Sequence, residues 1–137
     1  MKNMLTLLTV SIASVLALVS CNGNDTAFTL GVENRTGTRI EITATASPGT
    51  RLEETVTSTV EAGVSAELEF CTRVEGAIKL NISYAGTVYS GVVPYVDQSI
   101  SALELTVSES SGTIACTCSQ TDLFATYKDK EITLTAL

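Results

Sequence analysis

From Phe28 to the end of the chain, apolar and polar residues alternate in short runs, each closed by Gly, Pro, Asn or Ser. Phe28, Leu30 and Val32 alternate with Thr29, Gly31 and Glu33; Ile40, Ile42 and Ala44 with Glu41, Thr43 and Thr45. Ala66, Leu68 and Phe70, then Ile78, Leu80, Ile82 and Tyr84, then Leu103, Leu105 and Val107 repeat the pattern. A period of two places successive side chains on opposite faces of an extended strand. No stretch carries the 3.6-residue spacing of an amphipathic helix. The turn signals Asn34–Gly37, Ser47–Gly49, Glu61–Gly63, Ala85-Gly86 and Ser110–Gly112 cut the chain into hairpin-sized pieces. The expected fold is all-β: an antiparallel β-sandwich of about eight or nine short strands, with a β-barrel as the alternative. Pro94 is expected to end the strand begun at Thr87. Ile132, Leu134 and Ala136 are expected to form one closing strand. Thr55–Val60, mostly Thr, Ser and Val, suits an edge strand or a loop with strand character, and Gln120–Lys130 has no firm assignment, though Leu123, Ala125 and Tyr127 alternate as in a short strand.

Composition narrows function by exclusion. The chain has no His and no Trp, and both Met residues precede residue 5. Without His, nucleophile–His catalysis is ruled out. Glu53-Glu54 face opposite ways if extended, which makes them poor acid/base partners. Lys79 falls on the polar side of its strand. No calcium-loop spacing and no phosphate-cradling glycine loop is present. The protein is read as a non-enzyme that uses no cofactor.

Residues 1–20 stand apart from the alternating region. Lys2 supplies a positive start, and Met4–Val19 is an uncharged run rich in Leu, Val, Ile and Ala. That run is shorter than the ~20 residues a spanning helix needs, and it has the layout of a secretory signal helix. Leu18-Val19-Ser20-Cys21 then resembles the lipobox of bacterial lipoproteins. The resemblance covers the signal region alone. It implies that the Cys21 sulfur takes a diacylglycerol, that the chain is cut before it, and that the new amino group is often acylated. Asp directly after the lipidated Cys retains enteric members at the inner membrane. Asn22 stands there, so the outer membrane is favoured. The alternative is ordinary secretion without lipid, with Cys21 in a disulfide.

On this reading the chain divides into a signal peptide (1–20), a lipidated Cys with a polar tether (21–26) and one domain (27–137). Removing Lys2 with the signal leaves seven basic against fifteen acidic residues, a formal charge of −8. An acidic chain without a basic cluster argues against nucleic acid as a partner. The membrane, reached through the N-terminal lipid, and an envelope protein are the expected partners.

Three further cysteines remain. Cys116 and Cys118 share a strand face with Ile114, and in strand geometry their parallel side chains do not bridge each other. Cys71 is the natural partner for one of them, with Cys116 favoured, since export permits a structural disulfide. No metal site is expected from these thiols, because no His or mature Met is available as a further ligand. Tyr84, Tyr89 and Tyr95 cluster about one hairpin; Tyr89 and Tyr95 are candidates for a binding surface, and Tyr84 for the core. Asn34-Arg35-Thr36 and Asn81-Ile82-Ser83 match glycosylation sequons and are read as chance. The functional expectation is a lipid-anchored envelope protein that binds or scaffolds. A structural accessory subunit, pairing through an edge strand such as Thr55–Val60, is the alternative.

Overall fold

The structure is a computed structural model in which residues 26–96, 100–120 and 130–137 are described. These residues form ten strands and no helix. One sheet contains, in spatial order, β4 (Ser65–Phe70), β1 (Phe28–Asn34), β7 (Ala102–Ser110), β8 (Thr113–Gln120) and β9 (Lys130–Ile132). The other contains β10 (Thr135–Ala136), β6 (Thr87–Val96), β5 (Gly76–Tyr84), β2 (Ile40–Ala46) and β3 (Glu54–Val60). All pairings are antiparallel except β1 with β7. The architecture is a β-sandwich.

Alternation decides which side chains fill it. Phe28, Leu30, Val32, Leu68, Phe70, Leu103, Leu105 and Val107 face inward from the first sheet, and Ile40, Ile42, Ile78, Leu80 and Ile82 meet them from the second. The Phe28 and Phe70 rings, opposite each other in register, meet edge to face with centroids 6.0 Å apart. At about 1.5–3 kcal/mol per fully buried side chain, this single core is the main source of stability.

On both sides of the sandwich the chain passes between the sheets. On one side β3, the edge of its sheet as its composition suggested, leads directly into β4, the edge of the other. On the other side β9 ends at Ile132 and the chain crosses to pair β10 with β6 (Thr135↔Ser90, Ala136↔Tyr89). The expected single closing strand is therefore two short strands in different sheets. Gly91 makes this crossing feasible: a Cβ there would lie 2.8 Å from Leu134 Cδ2 and 3.0 Å from the Thr133 carbonyl oxygen.

Pro94 does not end its strand. β6 continues to Val96, and its register with β5 slips between Gly76↔Val96 and Ile78↔Val93, placing one extra β6 residue at a bulge. A bulge on a strand whose neighbour β10 reaches only Tyr89 and Ser90 is where a residue without an N–H is tolerated.

The two ends of the sandwich differ. At the end where the domain begins, the Ala27 N–H donates to the Phe70 carbonyl at 2.9 Å, and Thr26 Oγ1 donates to Glu69 Oε1. The turn Ser47–Glu53 and the segment Cys71–Glu75 lie at this near end. The far end carries Arg35–Arg39, Glu61–Val64, Ala85-Gly86 and Ser111-Gly112.

Candidate functional site

Ile114, Cys116 and Cys118 all face the core, as the strand period requires. Cys116 sits in register with Val107 and Ile132, and Cys118 with Leu105 and Lys130. Burial among apolar neighbours pushes the Cys116 thiol up to about 12, with the neighbouring Cys118 adding to the rise. Burial likewise pushes Cys118 up to about 11, and Lys130 opposes the rise. Both stay protonated at neutral pH and are poor nucleophiles and poor metal ligands.

Neither thiol reaches Cys71, and both are free. The expected Cys71–Cys116 or Cys71–Cys118 bridge is corrected by sheet order. Cys71 follows β4 at one edge, and β1 and β7 lie between β4 and β8. Three strand spacings come to about 14 Å, about twice the reach of a disulfide between Cα atoms. Strand order is a long-range property that cysteine spacing does not encode.

The tyrosines separate. Tyr84 is buried, and its hydroxyl donates to Glu109 Oε2. Tyr89 is half-buried and packs against the core, its ring centroid 6.5 Å from that of Tyr84. The Tyr95 side chain lies outside the described residues, as do Cys21 and residues 121–129.

The far end is held by a polar network that sequence reading passed over as an ordinary turn. Asn34 is fully buried. Its Nδ2 donates to the Thr38 and Val60 carbonyls at 2.9 Å each. Its Oδ1 accepts from the Thr36 N–H at 2.9 Å and from Thr36 Oγ1 at 2.7 Å. A buried carboxamide so engaged is structural, and no glycan could reach it. Beside it, Glu109 Oε1 accepts from the Gly37 N–H at 2.6 Å. The hydrogen bond from Tyr84, then that from Gly37, holds the Glu109 carboxyl below the usual carboxylate range. The same carboxylate holds the Tyr84 hydroxyl above its ordinary value.

The outer faces of the two sheets contrast. On the first, Glu67 and Glu104 flank Gly31 in register, with Glu33 one step along β1. Glu104 folds down over Gly31, whose missing Cβ would lie 2.6 Å from Glu104 Oε1. Partial burial, then the charges of Glu67 and Glu33, raise the Glu104 carboxyl. On the second face, Thr43 and Thr57, and Thr45 and Thr55, pair their hydroxyls at 3.0 Å. Asn81, at the centre of that face, keeps Oδ1 shielded from solvent without a hydrogen-bond partner.

At the near end, Glu54 accepts from the Cys71 N–H (3.0 Å), the Thr72 N–H (3.1 Å) and Thr72 Oγ1 (2.9 Å). Glu53 accepts from the Gly49 N–H at 2.8 Å. The adjacent carboxylates thus brace two separate loops and do not face each other. Among the described residues, no three His, Cys, Asp or Glu side chains are grouped to hold a metal ion. No protein-family model matches the chain, and no significant match is found to a curated protein or a solved structure.

Proposed function

We propose that this protein is a lipid-anchored component of a bacterial cell envelope, whose β-sandwich acts by binding or scaffolding and not by catalysis. The observation that carries the reading is Cys21, placed directly after an uncharged apolar run and a few polar residues before the domain begins. The tether Asn22–Thr26 spans at most about 17 Å when fully extended. Hydrogen bonds from Thr26 and Ala27 to β4 then fix where the domain hangs from it. Two or three acyl chains, at about 0.8 kcal/mol per buried methylene, hold such a protein firmly where one chain holds it marginally. Intact-mass analysis of the membrane fraction tests this: the chain should begin at Cys21 and carry added acyl mass, and Cys21→Ser should leave it unprocessed. A Cys21→Ser protein with unchanged processing and membrane fraction would sink the reading.

A second reading has one specific observation in its favour. Cys116 and Cys118 are both free, so Cys21 is the only cysteine left to pair with Cys71. Ala27 is fixed beside the end of β4, directly before Cys71, so six residues of chain separate Cys21 from that point. An exported, non-lipidated protein would then join Cys21 to Cys71. Lipid and disulfide compete for one sulfur, so the mass experiment decides between them: non-reducing peptide mapping would find a Cys21–Cys71 cross-linked pair only under the second reading.

A further inference from the structure

We infer that the near end of the sandwich, formed by Ser47–Glu53 and Cys71–Glu75, rests against the phosphate headgroups of the bilayer, with the far end pointing away. The inference rests on the lipid-anchor reading and adds an orientation to it. Three observations support it.

The described chain enters the domain at the near end. Thr26 and Ala27 are hydrogen-bonded to Glu69 and Phe70, so little slack remains for the domain to invert. A seven-residue strand is about 24 Å long, more than the extended tether. The far end therefore cannot swing down to the headgroups while the near end faces out.

Two guanidiniums at the near end are available to phosphate. Arg51 and Arg73 are exposed, and neither forms an ion pair among the described residues. Among the described residues the carboxylates there outnumber the guanidiniums, but Glu53, Glu54 and Glu69 turn into the domain, toward the Gly49 amide, the Cys71 and Thr72 amides and Thr26. Glu75 remains exposed. An exposed guanidinium offers the planar fork of donors that suits a phosphate.

The first sheet's outer face cannot be the one that lies down. It carries Glu67 and Glu104 on either side of Gly31, beside a Glu33 ion-paired to Arg35, and an anionic lipid surface repels the Glu67 and Glu104 carboxylates. Tilting onto that face would also bury Glu104, already partly desolvated, beside more negative charge.

The experiment uses the full lipidated protein in vesicles of zwitterionic and anionic phospholipid, a fraction of which bears a nitroxide on the headgroup. The labels are read in a Cys71→Ser background, in which the buried Cys116 and Cys118 stay unlabelled, and flotation and acyl mass are read with Cys71 intact. A fluorophore is placed at Pro48→Cys on the near end or at Ala62→Cys on the far end, both exposed turn positions. Nitroxide quenches over a short range, so the label at residue 48 should lose most of its emission and the label at residue 62 little. Adding Arg51→Glu and Arg73→Glu should weaken quenching at residue 48 while the protein stays with the vesicles. Equal quenching at both sites, or stronger quenching at residue 62, overturns the orientation. Failure of the unmutated protein to float with vesicles, with no acyl mass on Cys21, overturns the anchor on which the orientation rests.

Discussion

Asn34 shows what one side chain contributes. Truncation to Ala would strand the Thr36 N–H and take a donor from the buried Val60 carbonyl, while the Thr38 carbonyl keeps only Thr36 Oγ1. Asn34→Ala should cost about 3 kcal/mol, read from the urea midpoint, because buried unsatisfied groups cost about 1–3 kcal/mol each. Glu109 gives a pH signature. Its folded pKa lies below the unfolded value, so its stabilising contribution is present above the ordinary carboxylate range and is lost as pH falls through the lowered value. Tyr84 has the opposite sign: its contribution holds below the ordinary phenol value and is lost as pH rises through the raised one. In thermal unfolding at a series of pH values, Glu109→Gln should flatten the acid limb and leave the midpoint least changed where Glu109 is already protonated. At this scale the sequence reveals which residues face inward, since alternation alone sorts Leu30 from Thr29 and Cys116 from Thr117. It does not reveal Asn34, because a turn residue exposed in one fold is a buried capstone in another, and burial depends on what packs above it.

Among the elements, the C-terminal strap depends on the missing side chain of Gly91. Gly91→Ala introduces a Cβ against Leu134 Cδ2, Ile132 Cγ2 and the Thr133 carbonyl at 2.8–3.0 Å. Overpacking of this kind costs about 1–3 kcal/mol. The loss should be local: hydrogen exchange should speed up at Leu137, whose amide donates to the Val88 carbonyl, before it speeds up in β5. Strand existence was legible from alternation and turn residues through most of the chain. Two boundaries were not. Pro94 reads as a stop only if the strand must donate on both sides, and the bulge removes that requirement. Ile132, Leu134 and Ala136 keep a period of two, yet the chain changes sheets between them, because alternation does not record which partner a strand meets.

For the molecule as a whole, the two buried thiols tie stability to alkaline pH. An unfolded thiol ionises near pH ~8.5, whereas Cys116 and Cys118 are raised to about 12 and about 11 in the fold. The native state therefore holds its protons longer. Stability is full below the unfolded value and falls above it, by up to about 1.4 kcal/mol per pH unit per thiol, and the total loss is smaller for Cys118 than for Cys116. Urea midpoints at pH 8 and pH 10 should show the drop, and the double variant Cys116→Ala/Cys118→Ala should flatten it. The sandwich class was readable from many short strands with regular turns. Strand order was not: the parallel β1–β7 contact joins residues more than seventy apart in sequence, and the same order keeps Cys71 from Cys116.

The sheet edges would matter for a protein held at a surface, as the lipid-anchor proposal has it. Molecules tethered to a bilayer share a layer only as thick as themselves, so modest copy numbers reach high local concentration and neighbours meet side on. An open sheet flank would invite strand-by-strand growth across the membrane. Here β3 and β4 remain sheet edges although the chain links them at the far end, whereas the β9-to-β10 crossing covers part of the opposite flank and Pro94 blunts the stretch of β6 that β10 leaves uncovered. Strand-by-strand growth between crowded neighbours would then be open at the β3 and β4 flank and hindered at the other.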